Sequence, residues 1–197
     1  MKHLKMLGLA AMAAMALMAF VGVGAASATV LESGSTKLPA GTDITASLSG
    51  SAALTTTDGT LLDTCTGGGI SGKTTNGGGS SSTVNGSVAT TGLTWTNCTR
   101  TTSTIAGGTL EVHYTSGING TVTASGFEVT VETGIFGSCV FTVSNTNLGT
   151  LTGSTTTNAV LDVNTVVTRK SGICPASEKW VGTYKVTQPV PLAVTAS

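Results

Sequence analysis

The sequence predicts an all-β protein: an antiparallel β-sandwich of the immunoglobulin-like, Greek-key kind, with a partly open β-barrel as the alternative. Three observations support this class. About a dozen short segments alternate apolar and polar residues with a period of two. Clusters of Gly, Asn and Asp separate them, as turns do. No segment beyond residue 28 keeps helical periodicity over ten residues. Many short strands at such spacing build sandwiches or barrels.

The first 28 residues predict a secretory signal peptide with a helical apolar segment. Lys2 and Lys5 precede an uncharged run over residues 6–24, and Ala26 and Ala28 supply the small residues that a signal peptidase recognises. We therefore predict cleavage after Ala28, with an uncleaved anchor helix as the alternative. Residues 29–197 then form a single domain that is secreted or held at a bacterial cell surface, or periplasmic if the source has an outer membrane.

The clearest strand patterns lie at residues 110–114 and 127–132, where apolar side chains take one face and polar ones the other. The other predicted strands are residues 44–48, 60–66, 83–88, 93–97, 118–123, 140–143, 159–167 and 180–186, with an edge strand at 189–194. Turn signals stand at 58–59, 67–69, 76–79, 107–108, 119–120 and 153–154. The 39 threonines fit this reading, because β-branched residues favour extended backbone.

Charge excludes two classes of partner. Charged residues make up 9% of the chain, and the nine Lys and Arg balance the nine Asp and Glu. Removing Lys2 and Lys5 with the signal leaves a slightly acidic domain, which has no basic field for a nucleic acid or an anionic membrane. No later segment is apolar enough to span a bilayer. The sequence therefore predicts no nucleic-acid partner and no membrane span after signal removal.

The four cysteines predict two disulfides, since export would place them in an oxidising compartment. Three pairings exist. We favour Cys65 with Cys98 and Cys139 with Cys174, because each pair brackets a strand, a turn-rich stretch and a return strand. A crossed pairing of Cys65 with Cys139 is the alternative. A metal site is not predicted, because zinc needs close ligand pairs and the nearest cysteines are 33 positions apart.

Residues 67–74 read GGGISGKT and match the phosphate-binding loop pattern. That loop must open a helix, whose N-terminus supplies part of the anion site. The residues that follow, TNGGGS, favour no helix. We interpret the match as accidental and predict no nucleotide cofactor.

No set of residues predicts catalysis. His113 is the single histidine beyond the signal, and no nucleophile motif accompanies it. Glu128 and Glu132 share one strand face, but four strand residues separate them by roughly 13 Å, beyond the reach of a glycosidase pair. The expectation is therefore a protein that is not an enzyme and has no catalytic residues and no cofactor.

The aromatic residues are the remaining candidates for binding. Trp95 and Trp180 lie near Cys98 and Cys174, which favours packing against disulfides in the core. The alternative is a ligand-stacking surface, for which Trp180 and Tyr114 are the candidate residues.

Several motifs resemble a widespread set of exported bacterial proteins: LTWTNCT at residues 93–99, LGTLTG at 148–153, and Cys174-Pro175 followed by Trp180, Tyr184 and PLAVT at 191–195. That set carries no established activity. The chain is more distantly similar to exported proteins labelled activators of alkane oxidation, which are also small and rich in Thr, Gly and paired Cys.

Two functions remain as hypotheses. The first is a secreted, non-enzymatic structural component of the cell surface or extracellular matrix, which associates with itself or with cell-envelope components. The second is an extracellular binding module for glycans or apolar small molecules.

Overall fold

The structure, a computed structural model, describes residues 28–134 and 137–197. These residues form sixteen β-strands and one short 3-10 turn, Thr90–Gly92. The strands are β1 (Thr29–Ser33), β2 (Thr36–Lys37), β3 (Asp43–Leu48), β4 (Ala52–Thr56), β5 (Leu61–Thr74), β6 (Thr83–Val88), β7 (Leu93–Cys98), β8 (Thr102–Ala106), β9 (Gly108–Ser116), β10 (Asn119–Ser125), β11 (Glu128–Glu132), β12 (Ser138–Thr142), β13 (Thr146–Thr152), β14 (Val160–Ser171), β15 (Ser177–Gln188) and β16 (Ala193–Ala196). The all-β prediction is confirmed. The predicted signal helix lies outside the described residues.

Eight antiparallel strands close into a barrel. Their order around the wall is β3, β15, β14, β13, β10, β9, β6 and β5, and β5 pairs with β3 again. The predicted immunoglobulin-like sandwich is therefore wrong, and the barrel alternative is the nearer description, although the ring is closed rather than partly open. Period-two alternation arises equally when a sheet faces a second sheet and when it faces itself.

Local irregularities let the sheet curve until it closes. The registers of β10 and β15 shift within their pairings, and such bulges bend and twist a strand. Gly68 in β5 and Gly149 in β13 have φ angles of 127° and 151°. A Cβ at Gly68 would overlap the Thr94 carbonyl oxygen, and one at Gly149 would overlap that of Asp162. Glycine is required at both positions by backbone conformation and by close approach.

Three long strands, β5, β14 and β15, run beyond the barrel and begin a second ring, which we call the extension. One part of the extension pairs β4 with β5 and β5 with β7, and the other runs β8, β11, β12, β14, β15 and back to β4. Among the described residues, no backbone pairing joins β7 to β8. Side chains bridge this seam: Trp95 Nε1 donates to Thr104 Oγ1 at 3.1 Å, and Thr104 Oγ1 donates to the Leu93 carbonyl at 2.8 Å.

A small separate sheet, ordered β16, β1 and β2, lies against the barrel. It buries Leu31 of β1 and Val194 of β16, and Leu31 also lines the barrel interior together with the nearby Leu192. The edge strand predicted near the C-terminal prolines is present, but it begins only at Ala193, because proline cannot donate to a strand ladder.

Two predicted turns are strands instead. Residues 67–69, three successive glycines, lie inside β5, where they allow β3 and β7 to approach closely. Residues 119–120 begin β10, and the tight turn lies one step earlier, at Gly117 and Ile118. Glycine and asparagine signal turns only on average, and here close strand packing accounts for the glycines of β5.

Candidate functional site

Two apolar cavities lie among the described residues. The extension cavity, of about 70 Å³, has walls that include Trp95, Phe127, Val129, Val131, Phe141 and Trp180. The barrel cavity, of about 90 Å³, has walls that include Leu31, Val84, Val112, Val122, Leu151 and Leu192. Ile70 and Leu110 line both cavities and so lie between them. Ligand pockets are concave and mostly apolar, which makes these two spaces the candidates for binding.

The tryptophans give the extension cavity its aromatic wall. The ring centroids of Trp95 and Trp180 lie 5.3 Å apart with planes tilted by 58°, and the ring of Trp180 meets that of Tyr184 edge-on at 6.2 Å. Both tryptophans are half-buried, and Tyr184 is fully buried. These contacts hold the rings in a tilted, edge-to-face arrangement that aromatic pairs favour.

The structure separates the two predicted stacking residues. Trp180 lines the extension cavity, whereas Tyr114 lies on β9, half-buried against the core and outside the described walls of both cavities. Its backbone N–H donates to Thr29 Oγ1 at 3.0 Å. The two rings therefore do not form one platform, and the ring of Trp180 faces inward rather than outward.

A buried carboxyl group lies near the extension cavity but is not among the residues that line it. Glu178 has no exposed surface, and neither of its carboxylate oxygens has a hydrogen-bond partner. It stands directly opposite Val167, which lines the cavity, and two residues before Trp180 on the same face of β15. Burial raises the pKa of Glu178 to about 7, with a further contribution from the negative charge of Asp58.

Glu178 is not among the residues predicted from the sequence. The signal was present: Glu178, Trp180, Gly182 and Tyr184 occupy alternate positions of β15 and therefore one face. A carboxylate in phase with two aromatic residues on a half-buried strand predicts a buried polar group. The predicted strand began at residue 180. It therefore did not include Glu178, and the face that Glu178 shares with the aromatic residues was not recognised.

A second buried carboxylate, Asp63 on β5, joins the two sides of the seam. It accepts hydrogen bonds from the backbone N–H groups of Thr64 and Arg100, at 2.8 and 2.9 Å. It also accepts from the hydroxyls of Thr99 and Thr102, at 2.8 and 2.5 Å. Four donors satisfy this buried acid, so Asp63 holds the β7–β8 connection against β5 where backbone pairing is missing.

Asp63, Cys65 and Cys98 place potential metal-ligating atoms within 4.8 Å of one another. The two sulfurs form a disulfide, so neither is a thiolate, which is the form that binds metal. The oxygens of Asp63 already accept four hydrogen bonds. The group is therefore structural.

The predicted disulfides are present in the structure. Cys65 pairs with Cys98, and Cys139 pairs with Cys174. The first joins β5 to β7 between directly opposed residues. The second joins β12 to the loop between β14 and β15. Both lie in the extension, the ring whose backbone pairing is incomplete.

The remaining motifs lie at the surface. Residues 67–74 belong to strand β5, and the Lys73 ammonium pairs with the Asp43 carboxylate at 2.6 Å. No helix follows them, so the phosphate-binding geometry is missing. His113 Nε2 lies 3.8 Å from a carboxylate oxygen of Glu111, and Glu128 pairs with Lys170. These pairs are partly or largely exposed.

The predicted cleavage position borders the described part of the chain. Strand β1 begins at Thr29, directly after Ala28, whose carbonyl accepts a hydrogen bond from the Ser197 N–H at 2.8 Å. Within the described residues, no helix is both long and apolar enough to cross a bilayer. No protein-family model, curated protein or solved structure matches the chain.

Proposed function

We propose that the protein is a secreted, non-enzymatic binding module that holds a small apolar molecule in the extension cavity. The observation that carries this proposal is the cavity itself: a partly open apolar space with aromatic walls, formed between β-strands and bordered by a few polar groups. The extension, like the barrel, is a ring of β-strands. Rings of about eight strands have interiors of the right width to hold one small ligand. The inward-facing Trp180 supports an apolar ligand over a glycan, which would need an exposed aromatic platform.

Cavity size limits the ligand. An engineered apolar cavity of about 150 Å³ in another protein binds benzene or xenon. The extension cavity, at about 70 Å³, is roughly half as large. It therefore suits an apolar body of a few heavy atoms. The seam between β7 and β8 is the natural route of access, because side-chain hydrogen bonds from Trp95 and Thr104 bridge it without a backbone ladder.

Xenon binding followed by methyl NMR tests the proposal. Xenon should shift the methyl signals of Val129 and Val131 saturably, because both residues line the extension cavity. Ala124→Val adds two methyl groups at a buried position of that wall and should abolish these shifts. The matched control is Ala46→Val, which places the same groups in the wall of the barrel cavity and should leave the shifts intact.

Shifts in the wild type that grow linearly with xenon pressure, or that survive Ala124→Val, would contradict this function. The second candidate, a structural component of the cell surface, would then gain support. It is favoured by exposed apolar side chains of the extension: Leu61, Val166 and Val181. In that case the molecular mass measured in solution should rise with protein concentration, because these exposed apolar side chains would contact a second copy of the chain.

A further inference from the structure

We infer that the barrel cavity is the inner half of the same binding site, and that the ligand is a linear, unbranched alkyl chain whose far end lies in the barrel. This inference rests on the proposed function and adds the shape and chemical class of the ligand. Three features of the structure support it: the two cavities follow each other along shared strands, the side chain between them has room to move, and the inner walls are apolar.

The two cavities lie end to end along the same strands. Six strands contribute wall residues to both of them: β5, β9, β10, β13, β14 and β15. On β10, Ala124 lines the extension cavity, and Val122, two residues away on the same face, lines the barrel cavity. On β15, the step runs from Trp180 to Val186. The strands that wall one space therefore continue directly into the walls of the other.

Leu110 and Ile70 line both cavities and form the narrow point between them. Leu110 packs against the core, yet it is only half-buried. The residues opposite it on the neighbouring strands are small: Gly86 on β6 and Ala124 on β10. A side chain with such neighbours can change rotamer without displacing a bulky group. Leu110 can therefore withdraw from the path of a chain that passes into the barrel.

The combined space is long and narrow. Its walls extend on β15 from Trp180 to Val186, roughly 20 Å along the strand, whereas a ring of about eight strands has room for one small ligand across its width. Together the two cavities are about as large as the engineered apolar cavity, of about 150 Å³, that binds benzene. A compact body of that size exceeds either cavity alone, whereas a linear chain of about six carbons occupies both.

The polar groups in the barrel wall are engaged by the protein itself. The buried Thr74 hydroxyl donates to the Pro39 carbonyl oxygen at 2.8 Å and accepts the Thr42 N–H at 3.0 Å. The Lys73 ammonium pairs with the Asp43 carboxylate at 2.6 Å. Burying a polar ligand group among the remaining apolar side chains would cost free energy. The inner part of the ligand is therefore apolar, and a polar end group lies toward the seam.

The small sheet covers the end of the barrel away from the extension. Leu31 of β1 and Leu192 line the barrel cavity. Leu31 stands opposite Val194 of β16, and a Cβ at Gly120, near the start of β10, would lie 3.1 Å from Val194 Cγ1. A chain that reaches the barrel therefore comes from the extension and ends near Leu31 and Leu192.

Linear alcohols of different length test this inference. 1-Propanol suits the extension cavity alone, whereas 1-hexanol fills both cavities. Each methylene that leaves water should tighten binding about fourfold, so 1-hexanol should bind about 60-fold more tightly than 1-propanol. In methyl NMR spectra, 1-hexanol should shift Val129 in the extension and Val112 in the barrel with one common Kd. 1-Propanol should shift Val129 alone.

A branched isomer and three variants test the shape of the site. 3,3-Dimethyl-2-butanol has the atoms of 1-hexanol in a compact body and should bind the wild type more than about tenfold more weakly. Leu110→Ala widens the narrow point and should reduce this difference. Ala46→Val adds two methyl groups to the barrel wall and should remove most of the advantage of 1-hexanol while 1-propanol binding is unchanged. Ala124→Val, in the extension wall, should weaken both linear alcohols.

The outcomes separate the two proposals. Saturable xenon binding in the extension, with 1-hexanol no tighter than 1-propanol or with Val112 unshifted, would overturn the joined site and leave the apolar site intact. Absence of saturable xenon binding would remove both. Equal binding of the two isomers by the wild type would overturn the linear class of ligand. These readouts require no variant, so they decide the inference even if Ala46→Val folds poorly. An advantage of 1-hexanol that persists in a folded Ala46→Val protein would also overturn the role of the barrel cavity.

Discussion

Glu178 and Asp63 show how two buried acids of one ring differ. Asp63 accepts four hydrogen bonds, so burial leaves its charge compensated. Glu178 accepts none and is fully enclosed. Desolvation disfavours the charged form of Glu178 and therefore raises its pKa. Partners rather than residue type decide whether the charge of a buried acid is compensated, as in Asp63, or left unpaired, as in Glu178.

The raised pKa of Glu178 makes stability depend on pH. The group titrates at its ordinary value of 4.5 when unfolded and at about 7 when folded. Its favourable contribution is therefore complete below pH 4.5 and is lost as pH rises through 7. The loss approaches about 3 kcal/mol, since each pKa unit corresponds to about 1.4 kcal/mol.

Urea unfolding at pH 5 and pH 8, with disulfides intact, measures this effect. Glu178→Gln removes the titrating group and should flatten the decline in unfolding free energy between the two pH values. Glu132→Gln, which changes an exposed carboxylate, should retain the decline. An identical slope in all three proteins would show that Glu178 does not govern this dependence.

At the level of elements, the seam between β7 and β8 is the weak point of the extension. All other neighbouring strands of that ring are joined by ladders, whereas here side chains and the Asp63 network connect the strands. The network replaces a missing ladder with bonds to one charged acceptor. Such bonds are individually stronger than neutral ones, but they depend on a single residue.

Asp63→Ala should therefore destabilise the protein by about 2–4 kcal/mol, because it leaves several buried donors without an acceptor. The amide protons of Arg100 and its neighbours in β7 and β8 should also exchange faster. Asp162→Ala is the matched control: its exposed carboxylate accepts a hydrogen bond from the Thr183 hydroxyl, at 2.8 Å. That substitution should cost less than about 0.5 kcal/mol. Equal losses in the two variants would contradict the role assigned to the network.

The whole molecule divides into a barrel closed by hydrogen bonds and an extension that depends on covalent bonds. Eight strands pair around the barrel without a break. Both disulfides lie in the extension, and Cys98 of the first is at the end of β7, the strand that borders the seam. The candidate site also lies there, so the covalent bonds support the walls of the cavity that we propose binds ligand.

Replacing either cysteine pair with alanine should cost about 2–5 kcal/mol, the range typical of a native disulfide in a small secreted domain. The loss should be uneven. Hydrogen exchange should quicken at Val131 and Phe141 in the extension and remain slow at Val122 and Leu161 in the barrel wall. Uniform loss of protection across both rings would show one cooperative unit instead, joined through the shared strands β5, β14 and β15.

The sequence by itself predicted the all-β class and most of the strands, although not β1, β2, β4, β8 and β13, and it favoured the cysteine pairing that the structure shows. Residues 83–88 are the clearest case: alternation predicted the strand, and β6 has those bounds. Side-chain alternation is a local property, and each cysteine pair joins strands or loops that are close in sequence, so neither needs the whole fold. The inward position of Trp180 also follows from alternation once β15 is known.

Only the tertiary structure decided three things: barrel over sandwich, the strand role of residues 67–69, and the isolation of Glu178. Each depends on what lies opposite in space. Closure depends on accumulated twist and bulges, the glycines of β5 respond to the approach of β3 and β7, and the Glu178 carboxylate is unpaired because Arg169 donates elsewhere. Side-chain alternation in the sequence shows which face of its strand a residue occupies. The residues that lie opposite that face come from distant strands, so only the folded structure decides them.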